Sequence, residues 1–359
     1  MDVLPTIWFA VIAILWIGYL VLEGFDLGVG MHMLFGTRSE AERRTMLNTI
    51  GPVWDGNQVW LITAGAATFA AFPFWYASLF STLYLPLVAV LLGLIFRAVA
   101  IEYRGKGETD RWRRNWTIAL GLGSLVTAFG IGAALAVTTL GLPIDANGDR
   151  QGGAFAWFGA PAMLGGLAVV GFSLIQGAAW LALKTGGPVR DRMRRFVVRG
   201  AAIALLPIVV WVLVVQVATG SPTSWAMVVP AVVAVLLGWI FTRSGSDGRA
   251  FAAFTVFVVA GAGSIFLAAY PVVLPSTLDP AFDLTVSNAS SGDYTLGVMT
   301  VVTALALPFV LAAQAWTIWV FRARLTHDSI PPVHTFIPAI LRAPDTDADD
   351  RTPTRPGSR

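Results

Sequence analysis

Nine apolar stretches, at about 4–30, 51–72, 76–101, 115–139, 157–183, 197–219, 223–242, 250–274 and 296–321, constrain this chain more than any motif does. At 1.5 Å of rise per residue, each is long enough to cross a hydrocarbon core of about 30 Å. Lipid offers no hydrogen bonds, so runs of this length satisfy their backbone by becoming helices. Only 13% of the 359 residues are charged and 56% are hydrophobic, whereas soluble domains carry about 25% charged residues. The expected fold is all-α and integral to the membrane, with nine transmembrane helices. The gaps at Pro73–Phe74 and Gly220–Ser221–Pro222 predict tight helical hairpins.

Basic residues predict the orientation. The connections between spans 1 and 2, 3 and 4, 5 and 6, and 7 and 8 hold three, five, six (with Arg199 at the start of span 6) and two Lys/Arg, and the C-terminal part holds six. The opposite side holds only Arg150, and Arg97 lies within a span. Such an asymmetry places the N-terminus outside and the C-terminus in the cytoplasm. It also accounts for the pI near 9.5, so nucleic-acid binding is not needed to explain the charge. Asp2, the missing basic n-region and the run straight into further spans argue against a cleaved signal peptide. Residues 343–359 read as a disordered cytoplasmic tail.

A short internal repeat relates Gly18–Gly24, which ends in Glu23-Gly24, to Gly171–Gly177, which ends in Gln176-Gly177. Basic pairs follow each copy, Arg43-Arg44 and Arg194-Arg195. Spans 1 and 5 run in the same direction, so the repeat would be parallel, about an axis normal to the membrane. The expected organisation is two pseudo-repeated four-helix bundles (1–139 and 140–274), a ninth helix with its outer loop and cytoplasmic extension (275–342), and the tail.

Polar residues within apolar runs mark candidate function, because membrane insertion of a central charge costs about 2.5–3.5 kcal/mol on insertion scales. Glu23 and Asp26 lie at i and i+3 on one face of span 1, while Asp55, Asn57 and Gln58 open span 2. Arg97 lies near the end of span 3, followed by Glu102. By helical rise, Asp26 lies about 30 Å below Leu4, and Asp55 only about 6 Å above Gly51. All these groups therefore fall in the cytoplasmic third of the membrane. Arg97 and Glu102 do not share a helix face, which predicts that Arg97 pairs across helices. Three acids against one intramembrane arginine suit proton binding and relay; the plainer reading is structural ion pairs and snorkelling helix ends. Gly24, Gly28 and Gly30 fit close helix packing, and EGFDLGVG follows no strand, so it is not a dinucleotide fingerprint.

Cysteine is absent, which excludes disulfides, thiolate metal sites, iron–sulfur clusters and covalent haem attachment. The three histidines are His32, His327 and His334, and two lie in the polar C-terminal part. A haem held by two histidines between this chain's own helices is not expected.

GFDLGVG after an acid-bearing first span, WDGNQVWLITAGAATFAAFP in the second and FRAVAIEYR closing the third resemble subunit II of cytochrome bd-type quinol oxidases. The match is densest over 18–104, where the basic ERR between spans 1 and 2 also fits. The resemblance implies an enzyme of the bacterial cell membrane that oxidises quinol, menaquinol or ubiquinol, and reduces O2 to water. It places haem b and haem d in a partner, subunit I, and none in this subunit, which supports assembly, haem incorporation and proton access from the cytoplasm. Small accessory subunits and a structural quinone are further implied ligands and partners. Carried over by motif position, Asp55 and Glu102 belong to a proton path, with Glu23 and Gln58 in the same polar cluster. Asp26 and Arg97 become structural or haem-supporting groups, and Trp60 lies near an oxygen route. Family members often carry aspartate where this chain has Glu102, which makes that carry-over weaker. The rival reading, from the residues alone, is a secondary transporter with an intramembrane carboxylate relay.

Overall fold

The computed structural model describes residues 3–37, 39–107 and 109–325. The expected tail, the extension past residue 325, His327 and His334 lie outside the described residues. The chain forms helices α1 (Val3–Phe35), α2 (Glu40–Ile50), α3 (Trp54–Ala71), α4 (Pro73–Thr82), α5 (Tyr84–Tyr103) and α6 (Asp110–Leu140). These are followed by α7 (Ala160–Lys184), α8 (Gly187–Ala204), α9 (Leu206–Thr219), α10 (Pro222–Ser244), α11 (Asp247–Ala269) and α12 (Asp293–Val320).

Among the described residues, eight helical segments are long and apolar enough to cross a membrane. Eight of the nine expected stretches overlap these segments, most with ends shifted by a few residues; the stretch 51–72 does not, and 250–274 is only partly helical. The stretch 51–72 is helical as α3, but its 18 residues begin with Asp55, Asn57 and Gln58 inside the first turns, which leaves too short an apolar run to count among the eight. The stretch 250–274 ends early, at Ala269, and Val272–Leu274 is instead a strand, β1, paired antiparallel with β2 (Leu284–Thr285). Pro271 and Pro275 bracket β1 and cannot donate the hydrogen bonds a continuing helix needs.

Proline also explains two breaks inside expected spans. Stretch 76–101 divides at Leu83, because Pro86 has no N–H to give the Thr82 carbonyl. Stretch 197–219 divides at Leu205, where Pro207 denies the Ile203 carbonyl its partner in the same way. The expected hairpin at Pro73 is present: α4 folds back on α3, with the Phe69 and Tyr76 rings 4.9 Å apart. At the second hairpin, Ser221 caps α10 in a reciprocal capping box with Ser224, and the Ser224 hydroxyl donates to Gln216 Oε1 of α9 at 2.7 Å.

α6 packs along both α5 and α7, α10 along α11, and α1 against α3, α6 and α7. Small residues permit the closest approaches. A Cβ on Gly28 of α1 would collide with the Ser173 backbone of α7, and one on Gly132 of α6 with the Gly165 backbone of α7. One apolar core fills the middle of the bundle; a second, around Trp8, Phe72, Trp75 and Leu274, closes the end that carries the β1–β2 hairpin. α12 stands apart. Of its 28 residues only Leu296 is buried.

The other end is held by charge. Capped by Ser39, α2 sends Glu40 to Arg104 at 2.7 Å and Glu42 to Arg192 at 2.7 Å. The almost fully buried Asp247 receives Arg190 at 2.7 Å and Arg324 at 3.1 Å. Lys184 donates to the Phe321 and Ala323 carbonyls, which ties the segment after α12 to the end of α7.

Candidate functional site

Four of the polar residues of spans 1 to 3 are paired inside the bundle: Glu23 and Asp26 of α1, Asn57 of α3 and Arg97 of α5. Gly93 of α5 lies against Gly123 of α6, and Gly28 seats α1 on α7; these approaches turn Arg97 and Glu23 toward each other. Arg97 Nη1 lies 2.6 Å from Glu23 Oε1, with both side chains fully buried. The expectation that Arg97 pairs across helices is met, and Glu23 is its partner. Coulomb attraction carries this contact: Arg97 Nε and Nη2 make no hydrogen bond within the described residues, and neither does the buried Tyr19 hydroxyl.

Asp26 takes a different partner. Asn57 Nδ2 donates to Asp26 Oδ2 at 2.7 Å and to the Leu22 carbonyl at 3.2 Å. Gln314 Nε2 of α12 then donates to Asn57 Oδ1 at 2.7 Å. A chain of amides thus runs from α1 through α3 to α12, with Asp26 and Asn57 fully buried. It is one polar anchor of the largely exposed α12, which the Trp8 indole also holds by donating to the Leu296 carbonyl and the Thr300 hydroxyl.

The remaining candidates do not join this cluster. Asp55, two residues before Asn57, is exposed on α3, and Glu102 is exposed near the end of α5. Gln58 is half-buried, and its Oε1 finds no partner within the described residues. Trp60 is half-buried and packs against Gly18 of α1, where a Cβ would strike the indole. The acids foreseen as one group therefore divide into a paired, buried set and an exposed set.

Gln314 was not among the candidates, although a lone glutamine in an otherwise apolar span was a legible signal. Asn57 was visible only as a polar neighbour of Asp55; its role as the bridge depends on the rotation of α3. His32 is occupied structurally: its Nε2 lies 2.8 Å from the Leu174 carbonyl, and its ring meets Phe196 edge-on at 4.7 Å. Among the described residues, no group of three His, Cys, Asp or Glu side chains could hold a metal ion.

A large apolar cavity of about 700 Å³ lies beside the cluster, between α1, α3, α4, α5, α6, α7, α9 and α11, and its wall includes Trp16, Leu20, Phe69, Leu94 and Phe172. It carries little polar surface and no charged side chain.

The model of the family described as cytochrome bd terminal oxidase subunit II matches residues 4–321. Cytochrome bd ubiquinol oxidase subunit 2 of Bacillus subtilis is 37% identical over 332 residues, covering 91% of this chain and 98% of that protein. Cytochrome bd-I ubiquinol oxidase subunit 2 of Escherichia coli is 34% identical over 367 residues, covering 92% and 97%. The fold is similar to a chain of the bd oxidase from Geobacillus thermodenitrificans, with a TM-score of 0.73 at 18% identity, over 89% of this chain and 98% of that one. With a family model spanning nearly its whole length and relatives matched end to end, the chain belongs to the cytochrome bd terminal oxidase subunit II family.

Proposed function

We propose that this chain is the haem-free subunit of a membrane-bound quinol:O2 oxidoreductase. It stabilises a haem-bearing subunit I and gives protons access to that subunit from the cytoplasmic side. Family membership supports the complex, since the relatives named above are subunits of ubiquinol oxidases. On this reading haem b and haem d reside in the partner, and quinol and O2 react there. A structural quinone and small accessory subunits are further partners in the same reading. α3 completes a ninth crossing, with the N-terminus outside, in two four-helix units plus α12. No observation on this chain favours the transporter alternative.

The observation that carries the proton role is the division of the acids. Glu23 and Asp26 are committed to Arg97 and Asn57 inside the bundle, whereas Asp55 and Glu102 are exposed on α3 and α5. A group that passes protons to a partner must reach its surface, and these two do. Their helices are lined beside them by exposed apolar residues, Val59 and Ile62 on α3 and Ile95 and Phe96 on α5. Such a surface suits a second membrane subunit.

The test is Asp55→Asn in the complex purified with its partner. Haem content should stay at the wild-type level, while quinol oxidase activity falls by about tenfold or more, as for loss of a proton-transfer group. Unchanged activity with unchanged haem would refute the proton role. Haem lost from a normally inserted chain would assign Asp55 to assembly instead.

A further inference from the structure

The seam between α8 and α10 carries arginines that the ion-pair network leaves unused. Trp239 Nε1 donates to the Val198 carbonyl at 3.1 Å, and Arg194 Nη2 donates to the Thr242 carbonyl at 3.0 Å. These contacts fix the rotation of both helices. Arg194 and Val198 face α10, so the residues that follow each of them, Arg195 and Arg199, turn to the outer edge of the seam. Both are exposed, and so is Arg243 across the seam on α10. The Arg243 guanidinium lies 4.6 Å from the centroid of the Trp239 ring, which its own hydrogen bond holds in place.

Neighbouring arginines are accounted for: Arg190, Arg194 and Arg324 reach Asp247, and Arg192 reaches Glu42. Arg195, Arg199 and Arg243 form no ion pair with a carboxylate of the described residues. Asp191, one turn before Arg195, is exposed and makes none either. Beyond the cations, Ile203 of α8, Leu206 of α9, and Leu236 and Ile240 of α10 are exposed.

We propose that this seam binds an anionic phospholipid. Arg195, Arg199 and Arg243 receive the headgroup phosphate, Trp239 is the platform at the polar–apolar boundary, and the acyl chains lie along Ile203, Leu206, Leu236 and Ile240. Guanidinium forks match phosphate oxygens, and basic pockets between spans are suited to acidic headgroups. The adjoining exposed apolar side chains favour a lipid over a free anion, which could use the arginines alone.

Native mass spectrometry of the full chain, purified in detergent with its co-purifying subunits, tests this with added phosphatidylglycerol or phosphatidylcholine. The wild type should retain phosphatidylglycerol in preference to phosphatidylcholine. The triple variant R195Q/R199Q/R243Q should bind it about a hundredfold more weakly, at roughly 1 kcal/mol per basic residue near an acidic lipid. R249Q, which removes an exposed arginine on α11, should match the wild type. Equal retention by the triple variant, equal retention of phosphatidylcholine, or displacement by millimolar inorganic phosphate would overturn the proposal. Should the triple variant fail to insert, R195K/R199K/R243K keeps the charges and removes the forks. Weakened retention in that variant supports the site, and wild-type retention overturns it.

Discussion

Replacing Arg97 by Met gives the most direct measure of what holds α1 to α5. The guanidinium is fully buried and 2.6 Å from a fully buried carboxylate. At an effective dielectric of about 20, charges at that distance attract by roughly 6 kcal/mol. Desolvation of both groups offsets much of this, so the intact pair adds little net stability. Removing one member is different, because the other stays buried without compensation, at a cost of about 3–5 kcal/mol. At no more than about 2–4 °C per kcal/mol for a chain of this size, Arg97→Met should lower the melting midpoint of the detergent-solubilised protein by roughly 5–15 °C. Glu23→Met should do much the same. The double variant Glu23→Met/Arg97→Met, which leaves no unpaired charge at either position, should recover more than half of the loss. Melting followed by size-exclusion chromatography after heating reads all three proteins. Single variants within about 2 °C of wild type, or a double variant whose loss equals the sum of the singles, would refute the claim that the pair is coupled in the folded chain.

Two further outcomes follow from the packing and the loop between α6 and α7. Gly28→Leu should abolish accumulation of folded protein, because its side chain would displace the Ser173 and Gly177 backbone; Gly153→Ala, with open space around it, should accumulate normally, as quantitative immunoblots of membranes can check. Asp145, in the loop between α6 and α7, accepts hydrogen bonds from the Asn147 and Asp149 amides, which hold its pKa below the ordinary value. A depressed carboxylate stabilises its loop at pH above the unfolded value of about 3.9 and loses that contribution as pH falls through the lower folded value. Hydrogen exchange at those two amides, corrected for intrinsic rates, should therefore lose protection only below about pH 4. Asp145→Ala should abolish that protection at every pH.

Most of the long helices were legible because lipid leaves few alternatives: length and hydropathy located them, although α2 lies outside every expected stretch and the starts of α5 and α8 differ by eight and ten residues. The misreadings have local causes. Val272–Leu274 continues the apolar run of α11, so hydropathy cannot separate strand from helix there, although Pro271 and Pro275 mark the change. Pro86 and Pro207 announced the breaks at Leu83 and Leu205, but an apolar stretch reads as continuous when only its length is scored. For α3, the residues that make the site conspicuous are those that shorten the apolar run.

The site was legible in its parts and not in its pairing. Spacing shows that Glu23 and Asp26 share a face, but not which of them meets Arg97. That depends on the rotation of α1, which the Gly28 contact with α7 helps to set. With Glu23 taken by Arg97, Asp26 turns to Asn57, and Gln314 completes the chain from a helix far away in sequence. This pairing decides which substitutions can inform on proton transfer. A change at Glu23 or Asp26 unbalances a buried network, so lost activity there would mix proton chemistry with a cost of several kcal/mol in stability. Asp55 and Glu102 are exposed, where substitutions usually move stability by no more than about 0.5 kcal/mol. On the proposed reading, a fall in oxidase activity at either exposed acid is therefore a loss of function in its own right. The same fall at Glu23 becomes interpretable only after Glu23→Met/Arg97→Met has shown what the bundle loses without the pair.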